Sequence, residues 1–123
     1  KAHIMKPKKV GIIDKETVRL LGLDVPPGTP ILLGDSNYQH MQSSHPDAFA
    51  KYFSYLEEIL DSPDYVNLNP RDGSVKYIKR ISEYVVVGVR VSTKGTAFAR
   101  TIFTFENWKF NQYQIGGYLK KHK

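Results

Sequence analysis

The sequence predicts an α+β fold, with N-terminal helices packed on one face of an antiparallel β-sheet, and three observations predict it. Phe49, Tyr52, Phe53, Leu56, Ile59 and Leu60 form an apolar stripe at helical spacing, bounded by Pro46 and Pro63. From Tyr65 onward the signal changes to β. Val75 to Ile81, Tyr84 to Val91 and Ala97 to Phe105 then read as strands, joined by turns short enough to make an antiparallel meander.

The elements follow in chain order. Lys1 to Lys9 is basic and lacks the apolar stretch of a signal peptide, and the first residue is not Met, so the chain is expected to be part of a longer polypeptide. Asp14 to Leu23 reads as a short helix, with Asp14 as N-cap and Gly22 as its stop. Val25 to Pro30 is a turn or loop, and Ile31, Leu32 and Leu33 are a short buried strand. Ser36 to Gln39 has the spacing of a capping box and opens a short helix through His40 and Met41. That helix ends near Ser43, because Pro46 disfavours helical backbone in the residue before it. Ser44 or His45 caps the main helix, with Pro46 in its first turn and Asp47 where the helix dipole favours negative charge. Arg71 to Ser74 is a turn, and Ser82-Glu83 and Lys94-Gly95 link the three strands. Tyr113 to Leu119 is a terminal helix or extended arm, with Gly116-Gly117 weakening the helix.

Side chains alternate across a strand, so Val85, Val87, Val89 and Val91 share one face, expected under the aromatic helix. With two-residue turns at both hairpins, Lys79, Val86, Gly88, Arg90, Thr101 and Phe103 occupy the other, open face. A slip of one residue would reverse part of this set. The face then holds two cations, a hydroxyl, an aromatic ring and a glycine that lets something approach closely.

Composition narrows the function. At 123 residues the chain is one domain, large enough for a core without a metal or disulfide staple. It has no cysteine, which removes thiol catalysis, disulfides and cysteine-based zinc sites. No apolar run approaches the ~20 residues a membrane helix needs. Lys and Arg number 18 against 12 Asp and Glu, for a net charge of +6, and the pI is near 9.5. That balance suits a nucleic-acid partner, although the basic tails alone could supply the excess.

Candidate chemistry is sparse. His40 and His45 bracket the start of the main helix, and histidine exchanges protons most readily near neutral pH. Their spacing fits no standard metal motif, and His45 has an alternative role as a helix cap. The acidic residues are scattered, without the converging carboxylates of a two-metal nuclease. Lys79, Arg80, Arg90 and Arg100 lie inside strands, where they either face solvent or hold phosphate. Tyr77, Tyr84, Phe103 and Trp108 are either core or platforms for bases. Glycine loops for phosphate or dinucleotide binding, and the nucleophile elbow, are absent.

His40-Met41, His45-Pro46, the aromatic helix, Ile59 to Val66, Lys79, the valine-rich strand, Arg100-Thr101-Ile102 with Thr104, and Ile115 to Leu119 together carry a resemblance. Over Leu33 to Leu119 the chain resembles the phage-associated branch of the barnase/EndoU/colicin/RelE-like nuclease superfamily. The resemblance implies residues 1–32 as an N-terminal extension and 33–123 as the nuclease domain, together one compact unit. It implies a metal-independent ribonuclease that needs no cofactor, with its site on the open sheet face. His45, with His40 as near rival, would move the proton. Lys79 and Arg90 would steady the phosphate, and Thr101 or Thr104 would hydrogen-bond it. Arg80, Arg100, Tyr84, Tyr77 and Phe103 would bind RNA. RNA would be cleaved by its own 2′-hydroxyl to a 2′,3′-cyclic phosphate. Members are toxins or domains of phage and mobile-element proteins, and a toxin of this charge invites an acidic immunity or antitoxin protein. The alternatives are a non-catalytic nucleic-acid-binding module and a structural or interaction domain of a phage protein.

Overall fold

A computed structural model describes residues 6–92, 94–106 and 119–122. Strand β1 (Lys8–Ile13) leads into helix α1 (Lys15–Leu21). Asp14 caps α1 by accepting the Thr17 N–H at 2.9 Å, and Gly22 ends it in the left-handed conformation, which a glycine adopts without steric cost. Strand β2 (Thr29–Leu33) returns antiparallel to β1. Helix α2 (Asp35–Ser44) starts before the expected capping box. Gly34 is its N-cap, and the Asn37 side chain reaches back to accept the Gly34 N–H at 3.0 Å.

The long aromatic helix is broken into α3 (Pro46–Tyr52), a 3₁₀ turn (Phe53–Tyr55) and α4 (Leu56–Asp61). The break falls in Tyr52-Phe53-Ser54-Tyr55, a run of weak helix formers. It lets the stripe serve two surfaces. Phe49 and Phe53 stack at 4.8 Å and receive the edge of Tyr38 at 5.2 and 5.3 Å, while Leu56, Ile59 and Leu60 enter the main core. That core joins them, Met41 and Tyr52 to Val85, Val87 and Val89 of the sheet.

Strands β3 (Tyr65–Leu68), β4 (Val75–Arg80), β5 (Tyr84–Val91), β6 (Ala97–Phe105) and β7 (Lys120–Lys121) complete one sheet of seven among the described residues, in the order β1-β2-β6-β5-β4-β3-β7. The meander β4-β5-β6 is antiparallel as expected. The sheet as a whole is mixed rather than antiparallel, because β2 runs parallel to β6 through Ile31↔Ala97 and Leu32↔Phe98. The N-terminal residues 8–33 thus build two strands of the same sheet. The chain then turns at Gly34, and α2 and α3 pack against β6.

Two details of register decide which residues share a face. The β4–β5 connection is three residues, Ile81 to Glu83, closed by Ile81 N–H to the Glu83 carbonyl at 3.0 Å. Arg80 therefore pairs with Tyr84, and Lys79 with Val85. In β6, Thr101 pairs with Gly88 and Ala99 with Val89, which leaves Arg100 as an unpaired bulge residue.

The second face is not uniformly open. Ile78, Val86 and Phe105 form a smaller core there, flanked by Tyr65, Tyr84, Phe103 and Leu119. The expected terminal helix or arm from Tyr113, and Trp108, lie outside the described residues apart from Leu119.

Candidate functional site

The second face is arranged in rows across β4, β5 and β6. Lys76, Gly88 and Thr101 form one row; Ile78, Val86 and Phe103 form the next; Arg80, Tyr84 and Phe105 form a third. On the other side of the first row lies the pair Arg90↔Phe98. His45 comes to this face from the junction of α2 and α3, with its ring centroid 5.5 Å from that of Phe103. The helix break at Pro46 places it there: proline disfavours helical backbone in the residue before it, and His45, at φ −139° and ψ 71°, lies outside the helical region. Its side chain is exposed and makes no capping hydrogen bond. The capping alternative for the imidazole therefore drops out, and the ring is available to a ligand.

Gly88 explains the centre of the face. A Cβ built there would lie 2.6 Å from the Thr101 Cγ2. What approaches the glycine is thus the threonine of the next strand, with Lys76 on the opposite side. Arg90 faces Asp72 at 3.7 Å. Asp72 sits below the ordinary carboxylate range because Ser74 N–H donates to it, with Lys76 and Arg90 adding positive charge. Lys76, Arg90 and Asp72 are therefore one electrostatic group on the face.

Lys79 is corrected. Paired with Val85, it stands on the helix-packed face, and its Nζ donates to the Ser62 carbonyl at 2.8 Å, closing the end of α4. Ile78 holds the place opposite Val86 that the two-residue turn assigned to Lys79, and the lysine on the second face is Lys76, opposite Gly88. Thr104, also opposite Val85, is on the helix-packed face as well. Tyr77 is a core residue, 1% exposed, and burial together with the Asp14 charge raises its hydroxyl pKa well above the usual value. His40 lies on an exposed turn of α2, with the Ser44 hydroxyl 3.3 Å from its Nε2. Arg80 stacks over the Tyr84 ring at 5.0 Å, at the far end of the face. Arg90, Thr101 and Phe103 share the second face, as the β5–β6 register requires.

A histidine outside the candidate set is built into the fold. His122 is 8% exposed, its Nε2 is 3.0 Å from the Asp14 Oδ2, and its N–H donates to the Asp64 carbonyl at 2.9 Å. Burial opposes ionisation of Asp14, but hydrogen bonds from Thr17 and the contact with His122 outweigh it and hold the carboxyl below its ordinary range. This pair ties the chain end to the start of α1 and lies away from the second face.

Two grooves differ in charge. One of about 580 Å³ between β1 and α4 is lined by Lys9, Asp14, Glu57, Glu58 and Asp61 among others, an acidic rim unsuited to a polyanion. The other, about 420 Å³, is lined by Arg90, Arg100 and Phe98 with Ser36, Asn37 and Ser92. Among the described residues no three His, Asp or Glu side chains converge as metal ligands, and no helix is long and apolar enough to cross a membrane.

A histidine, a hydroxyl and several cations on one sheet face make a set whose chemistry can hold a phosphate ester. The chain belongs to the phage-Barnase-EndoU-ColicinE5/D-RelE like nuclease3 family, whose model matches residues 8–112. The match begins at β1, so it takes in residues 8–32 of the segment that the resemblance set apart as an extension. No curated protein and no solved structure matches the chain.

Proposed function

We propose that this phage-associated nuclease cleaves RNA without a metal ion, by attack of the substrate's own 2′-hydroxyl. The observation that supports it most is the exposed His45 imidazole beside Phe103, one row from Thr101, Gly88 and Lys76 and two from Arg90. His45 takes the 2′-hydroxyl proton as that oxygen bonds phosphorus. The P–O5′ bond breaks, the 5′ oxygen leaves with a proton from imidazolium or solvent, and a 2′,3′-cyclic phosphate remains. The nucleophile is tethered to the phosphate, so the protein mainly aligns it and stabilises charge. Lys76 and Arg90 offset the charge that develops on the phosphoryl oxygens, and the Thr101 hydroxyl donates to one of them. DNA, which lacks the hydroxyl, resists. A face with this charge also suits an acidic protein as inhibitor, the partner expected if the domain acts as a toxin.

The test is incubation with total RNA in excess EDTA, with His45→Ala and Arg90→Ala in parallel and the product ends analysed for cyclic phosphate. Cleavage by the parent, lost in both variants, supports the reading. Salt-sensitive RNA binding without cleavage would move it to a binding module. Neither binding nor cleavage would leave a structural domain of a phage protein.

A further inference from the structure

The groove at Phe98 adjoins the proposed cleavage row and shares Arg90 with the proposed site. Phe98 precedes Thr101 by three residues, but the bulge at Arg100 sets them opposite Arg90 and Gly88, only two residues or about 7 Å apart along the sheet. Its half-buried ring lies opposite Arg90 in the β5–β6 register, and Arg100, released from the ladder by the bulge, lines the same groove. The fourth wall comes from α2. The Asn37 Oδ1 is held by the Gly34 N–H at 3.0 Å, which fixes the amide so that its Nδ2 hydrogens remain; no described residue accepts them.

We propose that this groove binds one nucleotide of single-stranded RNA next to the scissile phosphate. The Phe98 ring stacks on the base, Arg100 holds that nucleotide's phosphate, and the Asn37 Nδ2 donates to an acceptor on the base edge. A ring can stack only on a base that has left its helix, so the substrate class is single strands and loops rather than duplex. Arg over a ring-lined wall supplies charge without sequence selection, and the oriented amide supplies what selection there is. The inference rests on the neighbouring row being the cleavage site.

Phe98→Leu and Asn37→Asp separate the parts. Leu keeps apolar bulk without the stacking face. Asp still accepts the Gly34 N–H, so the start of α2 is retained, but the donor is gone. Two probes are used: a cleavable RNA tetranucleotide, and its all-2′-deoxy counterpart, which cannot be cleaved. Each variant is expected to weaken binding of the deoxy probe and raise KM for the RNA by about fivefold or more, with kcat little changed. Duplex RNA should be cut far more slowly than the single strand. Unchanged KM and probe affinity in both variants, or equal cleavage of duplex and single strand, would overturn the inference. If the parent cleaves nothing, the cleavage reading fails by itself. The deoxy probe then still decides: binding lost in both variants supports the groove, and no binding, or binding that both variants keep, overturns it.

Discussion

Gly88→Ala tests the centre of the second face most sharply. The backbone at Gly88 does not have a positive φ, so alanine meets no conformational penalty there. The cost is steric alone: the new Cβ would sit 2.6 Å from the Thr101 Cγ2. Threonine is β-branched and has few alternative χ1 states in a strand, so it cannot easily swing clear. Overpacking of this kind costs about 1–3 kcal/mol. For a domain of this size each kcal/mol moves the melting midpoint by roughly 3–6 °C, so the variant should melt roughly 3–18 °C lower. Thr101→Ser in the same chain removes the offending methyl and keeps the hydroxyl. Alanine is also about 0.5–1 kcal/mol better than glycine inside a strand. The double variant should therefore melt near the parent and recover RNA cleavage, while Gly88→Ala alone loses both. Thermal melts by circular dichroism, with cleavage assayed in EDTA, read the two effects. A Gly88→Ala protein that melts with the parent, or a double variant that melts as low as the single one, refutes the reasoning.

Three further outcomes are expected. Asp14→Asn keeps the N-cap, since Asn and Asp cap equally well, but removes the charged partner of His122, lowering stability near neutral pH by about 1 kcal/mol. Because the Asp14 carboxyl is lowered in the folded chain, its contribution is complete above the ordinary value of 3.8 and fades as pH falls through the lowered one; melts of parent and variant should converge there, and a gap that persists at lower pH contradicts the pairing. Lys79→Met should cost about 0.5–1 kcal/mol through loss of the Ser62 hydrogen bond and leave RNA binding intact, whereas Lys76→Met should weaken RNA binding and reduce its salt dependence, with little change in melting; filter binding across a salt series distinguishes them, and the opposite pattern would restore Lys79 to the site. Tyr77→Phe removes a buried hydroxyl that has no hydrogen-bond partner among the described residues and should be neutral or stabilising by about 1 kcal/mol in chemical denaturation, a loss of stability showing an unseen partner.

The parts of this protein that its sequence determined by itself are those governed by near neighbours. Asp14 caps a helix through a residue three positions away, Gly22 ends it by its own backbone freedom, and Pro46 restricts His45 directly before it. The valine alternation of β5 was legible for the same reason, because strand period defines it. The β5–β6 connection, however, is five residues, Ser92 to Thr96, rather than two, and it is the bulge at Arg100 that brings Thr101 opposite Gly88 and so keeps Gly88, Arg90, Thr101 and Phe103 on one face. The tertiary structure alone decided the rest. One extra residue in the Ile81 to Glu83 turn exchanged Lys79 for Lys76, because a period of two converts a single-residue slip into a change of face. The parallel contact of β2 with β6 could not be read from Ile31 to Leu33, since a short apolar run says that it is buried but not beside what. His122 meets Asp14 across 108 residues, and His45 meets Phe103 only because α2 and α3 fold against β6. Local chemistry acts through bonds and turns that the sequence spells out, whereas these contacts come from packing, which depends on the whole chain at once.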